Sequence, residues 1–389
     1  MSRIDELIAE LCPDGVPYRP LGEVGTFIRG NGLQKKDLVD SGVPAIHYGQ
    51  VHTHYGIWAT ETKSFVTPEF AARLRKAKPG DLVIASTSED DEAVGKAVAW
   101  LGGVPAAVSG DAYVYRHSLE PKYVAYFFQS EQFQEQKKRG ITGTKVRRVS
   151  GEGLAKIRIP VPPLQVQQEI VRILDTFTEL EAELEAELEA RRRQYAYYRD
   201  SLLTFPEGGV RWVPMGEALD MRAGQFIAAG KISTAQDDAH PFPCFGGNGL
   251  RGFVSESTHD GHFALIGRQG ALCGNVKRVQ GRFYATEHAV VVAPRLDIDV
   301  DWAFHMLEVM NLNQYATQSA QPGLAVGTLK SVPFPVPPLD EQARIVAILD
   351  AFDSLVNDLS IGLPAELAAR RHQYEYYRDR LLTFTEVAA

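Results

Sequence analysis

The chain contains itself twice, and that repeat constrains its fold more than any other feature. Residues 160–180 read PVPPLQVQQEIVRILDTFTEL, and residues 335–355 read PVPPLDEQARIVAILDAFDSL. A second shared run closes each block: RRRQYAYYRDSLLTF ends at Phe205 and ARRHQYEYYRDRLLTF at Phe384. The first pair is offset by 175 positions and the second by 179, so the C-terminal copy carries four extra residues in its middle. Weaker matches link the regions between. GVPYRPLGEV from Gly15 answers GVRWVPMGEA from Gly209, LVIASTS (82–88) answers ALIGRQG (264–270), and VSGDAYV (108–114) answers ATEHAVV (285–291).

The repeated blocks read as helices. Pro162-Pro163 and Pro337-Pro338 suit a helix start, where a missing N–H costs nothing. Apolar residues then recur every three or four positions, at Ile170, Ile173, Phe177, Leu180, Leu184, Leu188, Tyr195, Tyr198 and Leu202. The second block does the same at Ile345, Ile348, Phe352, Leu355, Leu359, Leu363, Leu367, Tyr374, Tyr377 and Leu381. This is a coiled-coil seam. Gly362 and Pro364 should kink or interrupt the second helix. Neither seam can be buried alone; the nearest partner is the other copy, packed antiparallel, and a coiled-coil homodimer is the alternative.

Between the helices, Gly and Pro are frequent and apolar runs are short, as in small β-rich domains. Tyr123–Phe128 and Trp302–Leu307 are the best short helices there. The expected architecture is α+β: a short N-terminal helix (1–14), a first variable domain (15–158), a helical region (159–205), a second variable domain (206–333) and a second helical region (334–389). The two variable domains should stand in a pseudo-two-fold arrangement, joined by two long antiparallel coiled-coil helices.

Composition excludes some classes. Hydrophobic residues are 44% and charged residues 23%, the balance of a globular protein. No run approaches a membrane helix, and a cytoplasmic location is expected. Three scattered cysteines, Cys12, Cys244 and Cys273, form no disulfide framework or four-cysteine zinc site. The net charge of −8 argues against a generic polyanion binder, but six glutamates at alternate positions from Glu179 to Glu189 account for most of it. Basic surfaces elsewhere remain open to an anionic partner.

Catalytic motifs are missing. Gly247–Gly252 matches G-x-G-x-x-G, but no helix start follows, so a tight hairpin is expected instead of a dinucleotide site. His52, His54, His259 and His262 have no cysteine at ligand spacing and read as ordinary histidines. There is no G-x-S-x-G elbow, Walker lysine loop or Asn-Pro-Pro-Tyr motif. No metal site and no catalytic residue are expected.

What remains is basic and amide side chains on loops, which suit phosphates and base edges. The candidates in the first variable domain are Lys35, Lys36, Gln50, Ser86, Thr87, Ser88, Lys145 and Arg147. In the second they are Asn248, Arg251, Arg268, Gln269, Asn275 and His288. Polar runs follow matched strands in both: Ser86-Thr87-Ser88 and Arg268-Gln269.

The doubled blocks PVPPL…IVRILDTF…LEAELEAELEARRRQYAYYRD and PVPPLDEQARIVAILDAFDSL…GLPAELAARRHQYEYYRD resemble the two helical regions of type I restriction–modification specificity (S) subunits. GRQGALCGNV and FYATEHAVV resemble a pattern inside their target recognition domains. The resemblance implies that each variable domain reads one half of a split double-stranded DNA site, and that the helices set the gap and dock two methyltransferase (M) subunits. Those partners would carry S-adenosylmethionine, and restriction (R) subunits would use ATP and Mg; this chain would hold no cofactor. Candidate docking residues are Gln167, Glu169, Arg172, Gln342 and Arg344. A coiled-coil scaffold without DNA recognition, and an enzyme with an unrecognised motif, are the alternatives.

Overall fold

The short alternating runs and the long periodic blocks become separate sheets and helices in a computed structural model, which describes residues 3–206, 208–270, 272–295, 297–317 and 322–387. The chain divides into two units, residues 1–184 with 367–389, and residues 185–366. Each unit combines a variable domain with the start of one repeated block and the end of the other.

In the first unit a five-stranded sheet runs in the order Gly25–Arg29, Ala112–His117, Leu82–Ala85, Ala97–Trp100 and Trp58–Ala59. A four-stranded sheet contains Val43–Ile46 parallel to Ala106–Val108. Leu82–Ala85 and Ala97–Trp100 are buried on both faces, which explains their nearly unbroken apolar runs. The helix Pro121–Phe127 covers the core with Tyr123, Val124, Tyr126 and Phe127.

In the second unit a six-stranded sheet has the order Leu219–Ala223, Ala289–Pro294, His259–Gly267, Val276–Ala285, Phe242–Gly246 and Gly249–Val254. The last two strands form the hairpin expected at Gly247–Gly252; Gly249 has φ of 100°, a conformation that glycine adopts without penalty. The helix Val300–Val309 packs Trp302, Ala303, Met306 and Leu307 into this core.

The first repeated block is one helix, Leu164–Leu202, about 58 Å long at 1.5 Å per residue. The second is two helices, Leu339–Asn357 and Leu363–Leu381. The break has a local cause. Asp358 Oδ1 accepts from the N–H of Ser360 at 2.7 Å and of Ile361 at 3.3 Å, turning the chain out of helix. At Gly362 a Cβ would lie 2.5 Å from the Ser354 oxygen, so only glycine fits.

Within the first unit the two helical segments run antiparallel. Phe177 stacks on Tyr377 with centroids 5.5 Å apart, and one turn later Glu181 pairs with Arg371 at 2.6 Å. The second unit repeats the ring packing with Phe352 stacked on Tyr198 at 5.4 Å and on Tyr195 at 6.3 Å. The seam expected from spacing is only partly buried. Ile170, Leu188, Tyr195, Ile345 and Leu367 are buried, but Leu180, Leu355 and Leu359 are exposed (43%, 37% and 83%). The aromatic layers and the domain cores take up the apolar face, and the break at 358–362 puts Leu359 out of phase.

Candidate functional site

The roots of the helices explain why the same residues recur in both blocks. Gln167 and Gln342 are buried (3% and 0% exposed). Gln167 Oε1 accepts the backbone N–H of Glu120, and its amide nitrogen donates to the Pro162 oxygen at 2.7 Å. Gln342 Oε1 accepts the N–H of Asp299, and its nitrogen donates to the oxygens of Asp297 and Pro337. Glu120 and Asp299 are themselves the N-caps of the domain helices. Two turns on, Asp175 accepts from Lys122 and Tyr126, both at 2.7 Å, while Asp350 binds Arg278 at 3.0 Å and His305 at 2.8 Å. The repeated Gln and Asp thus lock each helix start to its domain.

Burial separates the docking residues expected from the resemblance into two groups. The amides of Gln167 and Gln342 are spent on hydrogen bonds inside the fold. Glu169 is also buried, with its carboxylate held below the usual range by the hydrogen bond from Arg172. Arg172 and Arg344 are exposed, Arg344 pairing with Glu341 at 2.7 Å.

A second shared construction lies at the ends of inner strands of each main sheet. In the first domain the Ser86 N–H donates to the Asp111 oxygen at 2.9 Å, and the Val149 N–H donates to the Ser86 oxygen at 3.1 Å. In the second, Arg268 N–H donates to the His288 oxygen at 2.9 Å, and Leu324 N–H to the Arg268 oxygen at 2.8 Å. Gly30 N–H reaches the Ala112 oxygen just as Gly224 N–H reaches the Ala289 oxygen. A Cβ at Gly30 would meet the Ser109 oxygen at 2.1 Å, and one at Gly224 the Ala285 oxygen at 2.2 Å. Both glycines are needed for this close approach.

Each frame surrounds an open cup. The first, about 300 Å³, is lined by Arg29, Ser86, Thr87, Asp111, Tyr113, Thr142, Arg148, Val149 and Ser150. The second, about 480 Å³, is lined by Gly247, Asn248, Arg251, Gln269, Gly270 and His288. Thr87 and Gln269 hold equivalent places, as do Asp111 and His288. Backbone hydrogen bonds build the walls and leave the side chains free to differ. Both cups offer donors and acceptors in a shallow polar recess, which suits the edge of a base.

Of the residues singled out in the sequence, the structure gathers Ser86 and Thr87 in one cup, and Asn248, Arg251, Gln269 and His288 in the other. Ser88 lies just beyond, its Oγ accepting the Asp90 N–H. Lys35, Lys36 and Lys145 are exposed outside the cup linings. Gln50 is occupied internally, accepting from the His47 N–H and donating to Ser64. Arg147 is held by Asp91 at 2.8 Å and by the Gly143 oxygen. Arg268 contributes its backbone to the frame, while its Nε is buried without a partner. Asn275 supports the cup from behind: with its amide oriented to suit the surrounding carbonyls, it donates to the Gly247 oxygen at 2.8 Å and the Leu272 oxygen at 3.2 Å. Arg29, Asp111, Tyr113 and Thr142 were missed, whereas Arg148 stands in the basic run Arg147-Arg148. The signal for Asp111 was present, because VSGDAYV against ATEHAVV places it opposite His288.

The family model for the type I restriction modification DNA specificity domain matches residues 13–190 and 232–369. The type I restriction enzyme EcoprrI specificity subunit of Escherichia coli is 49% identical over 259 residues, covering 63% of this chain and 64% of that protein. The match therefore spans slightly less than two thirds of that relative's length. Among solved structures, a type I restriction–modification S subunit from M. genitalium superposes with a TM-score of 0.59 at 14% identity, covering 95% of this chain and 96% of that one. A chain from a structural study of assembly and conformational transition in the type I R-M system gives 0.62 at 19% identity, covering 96% and 98%. These structures share the fold, two sheet-bearing domains with long helices, and the family model together with the sequence identity carries the assignment: the chain belongs to the type I restriction–modification DNA specificity family.

Proposed function

We propose that this chain is the sequence-reading subunit of a type I restriction–modification complex, each variable domain reading one half of a split duplex site through its cup. The observation that carries this reading is the backbone frame built twice in one chain with different polar side chains in each copy. A frame that fixes position while its lining varies is what two independent half-site readers require. The helices set the gap and dock two methyltransferase subunits; Arg172 and Arg344 are the exposed members of the docking set. Restriction subunits join the larger assembly. S-adenosylmethionine, ATP and Mg belong to those partners, and this chain contributes no catalytic residue. The complex works in the cytoplasm; among the described residues no helix is long and apolar enough to cross a membrane.

The test is competition binding by the chain assembled with its methyltransferase partners. One bipartite duplex should be preferred, with affinity falling steeply as salt rises because phosphate contacts release counterions. Equal binding to all duplexes would leave the coiled-coil scaffold as the better reading.

A further inference from the structure

The first cup has a composition that a phosphate site would not have. Asp111 shares the lining with two guanidinium groups, Arg29 and Arg148, with Thr87 and Tyr113 beside them. A carboxylate at this place repels a phosphate, so the lining does not suit the DNA backbone. It suits a ligand edge that carries both a donor and acceptors.

The charges are also available. Arg29 and Asp111 meet at only 3.7 Å, and both are about half exposed (61% and 49%). A long, solvated pair of this kind holds together weakly and is readily exchanged for another partner. Arg29 is oriented independently of Asp111, because its Nε donates to the Gly110 oxygen at 2.9 Å. Arg148 is fixed through its backbone, which pairs with Thr87 and Thr142, while its exposed side chain makes no ion pair among the described residues. Thr87 Oγ1 is buried with no hydrogen-bond partner.

We infer that the first cup reads a G·C base pair in the major groove, with Asp111 as the specificity-determining acceptor for the cytosine amino group and Arg148, assisted by Arg29, donating to guanine O6 and N7. In the major groove, cytosine presents its N4 amino group as a donor, and guanine presents two acceptors side by side. One carboxylate grouped with guanidinium groups is complementary to that pair. An A·T pair sets its one amino donor between two separated acceptors, adenine N7 and thymine O4, and adds the thymine methyl, so it lacks the two adjacent acceptors that a guanidinium fork binds. The second cup has no carboxylate in its lining, and its Asn248 and Gln269 amides match a different base edge. The two half-sites therefore differ in sequence. This inference rests on the DNA-reading function proposed above.

The experiment is methylation sequencing of DNA modified by the chain assembled with its methyltransferase partners, for the unsubstituted chain, Asp111→Asn, Asp111→Ala and Arg148→Ala. The unsubstituted complex should write a bipartite motif with an invariant G·C pair in the half-site of the first domain. Asp111→Ala and Arg148→Ala should relax that one position, lowering its discrimination roughly 5- to 150-fold, the factor that a good bidentate contact supplies. Asp111→Asn, nearly the same shape, should also relax it. Unchanged recognition of the other half-site reports that each variant is folded and assembled. A motif unaltered in all three variants, or an equal loss on every sequence, would overturn the assignment, the second outcome indicating a phosphate contact. A complex that writes no bipartite motif even when unsubstituted would instead overturn the DNA-reading function itself.

Discussion

Gln167 ties a domain to its helix through one side chain, and burial decides its role. Replacing it by Ala leaves the Glu120 N–H without its side-chain acceptor and the Pro162 oxygen without its side-chain donor. Each unsatisfied buried group costs about 1–3 kcal/mol, so Gln167→Ala should lower stability by roughly 2–4 kcal/mol in chemical denaturation. A variant of unchanged stability that loses methyltransferase subunits would return the residue to a docking role. A second residue gives a pH dependence. His117 has both ring nitrogens buried without partners and is stacked on Tyr115; burial depresses its pKa to about 4. The unfolded chain takes up this proton near pH 6.5, so it binds more protons than the native state between that pH and about 4. Stability should therefore fall as the pH drops through this window, by about 3 kcal/mol from this group across the whole window. Urea midpoints at pH 7 and pH 5 check it: His117→Phe should show a smaller drop than the unsubstituted chain, and an equal drop would contradict the assignment.

At the scale of elements, the break between Leu339–Asn357 and Leu363–Leu381 is set by Asp358 and Gly362. Gly362→Ala forces a methyl group against three carbonyl oxygens at 2.5–2.9 Å. The helix ends must shift, and the expected cost is about 1–3 kcal/mol, seen as a lower melting temperature. A melting temperature equal to that of the unsubstituted chain would show that the junction yields freely. Much of this level was legible in the sequence. Proline pairs, helical spacing and Gly362 with Pro364 placed the helices and their break, because those signals are local. The phase of the seam was less legible. Leu180, Leu355 and Leu359 fit the spacing yet are exposed, because burial is decided by packing between segments far apart in sequence. The cups were half legible for the same reason. Thr87 and Gln269 follow apolar strands and could be found, whereas Arg148 reaches its cup only through pairing with a strand some sixty residues away.

For the whole molecule, the central claim is that one chain carries two independent readers whose separation is set by helix length. Leu180–Arg191 consists of three near-identical four-residue units and lies within the unbroken helix Leu164–Leu202. Deleting Glu185–Leu188 shortens the helix by about 6 Å and rotates its C-terminal part by about 40°, so the apolar positions stay nearly in phase. Leu184 then occupies the place of the buried Leu188. A base-pair step is about 3.4 Å. The decisive measurement is the methylated motif written by the chain with its methyltransferase partners, with and without residues 185–188. The account predicts two half-sites of unchanged sequence with a gap altered by about one or two base pairs. An active deletion variant that keeps the original gap, or one whose half-site sequences change, would contradict it.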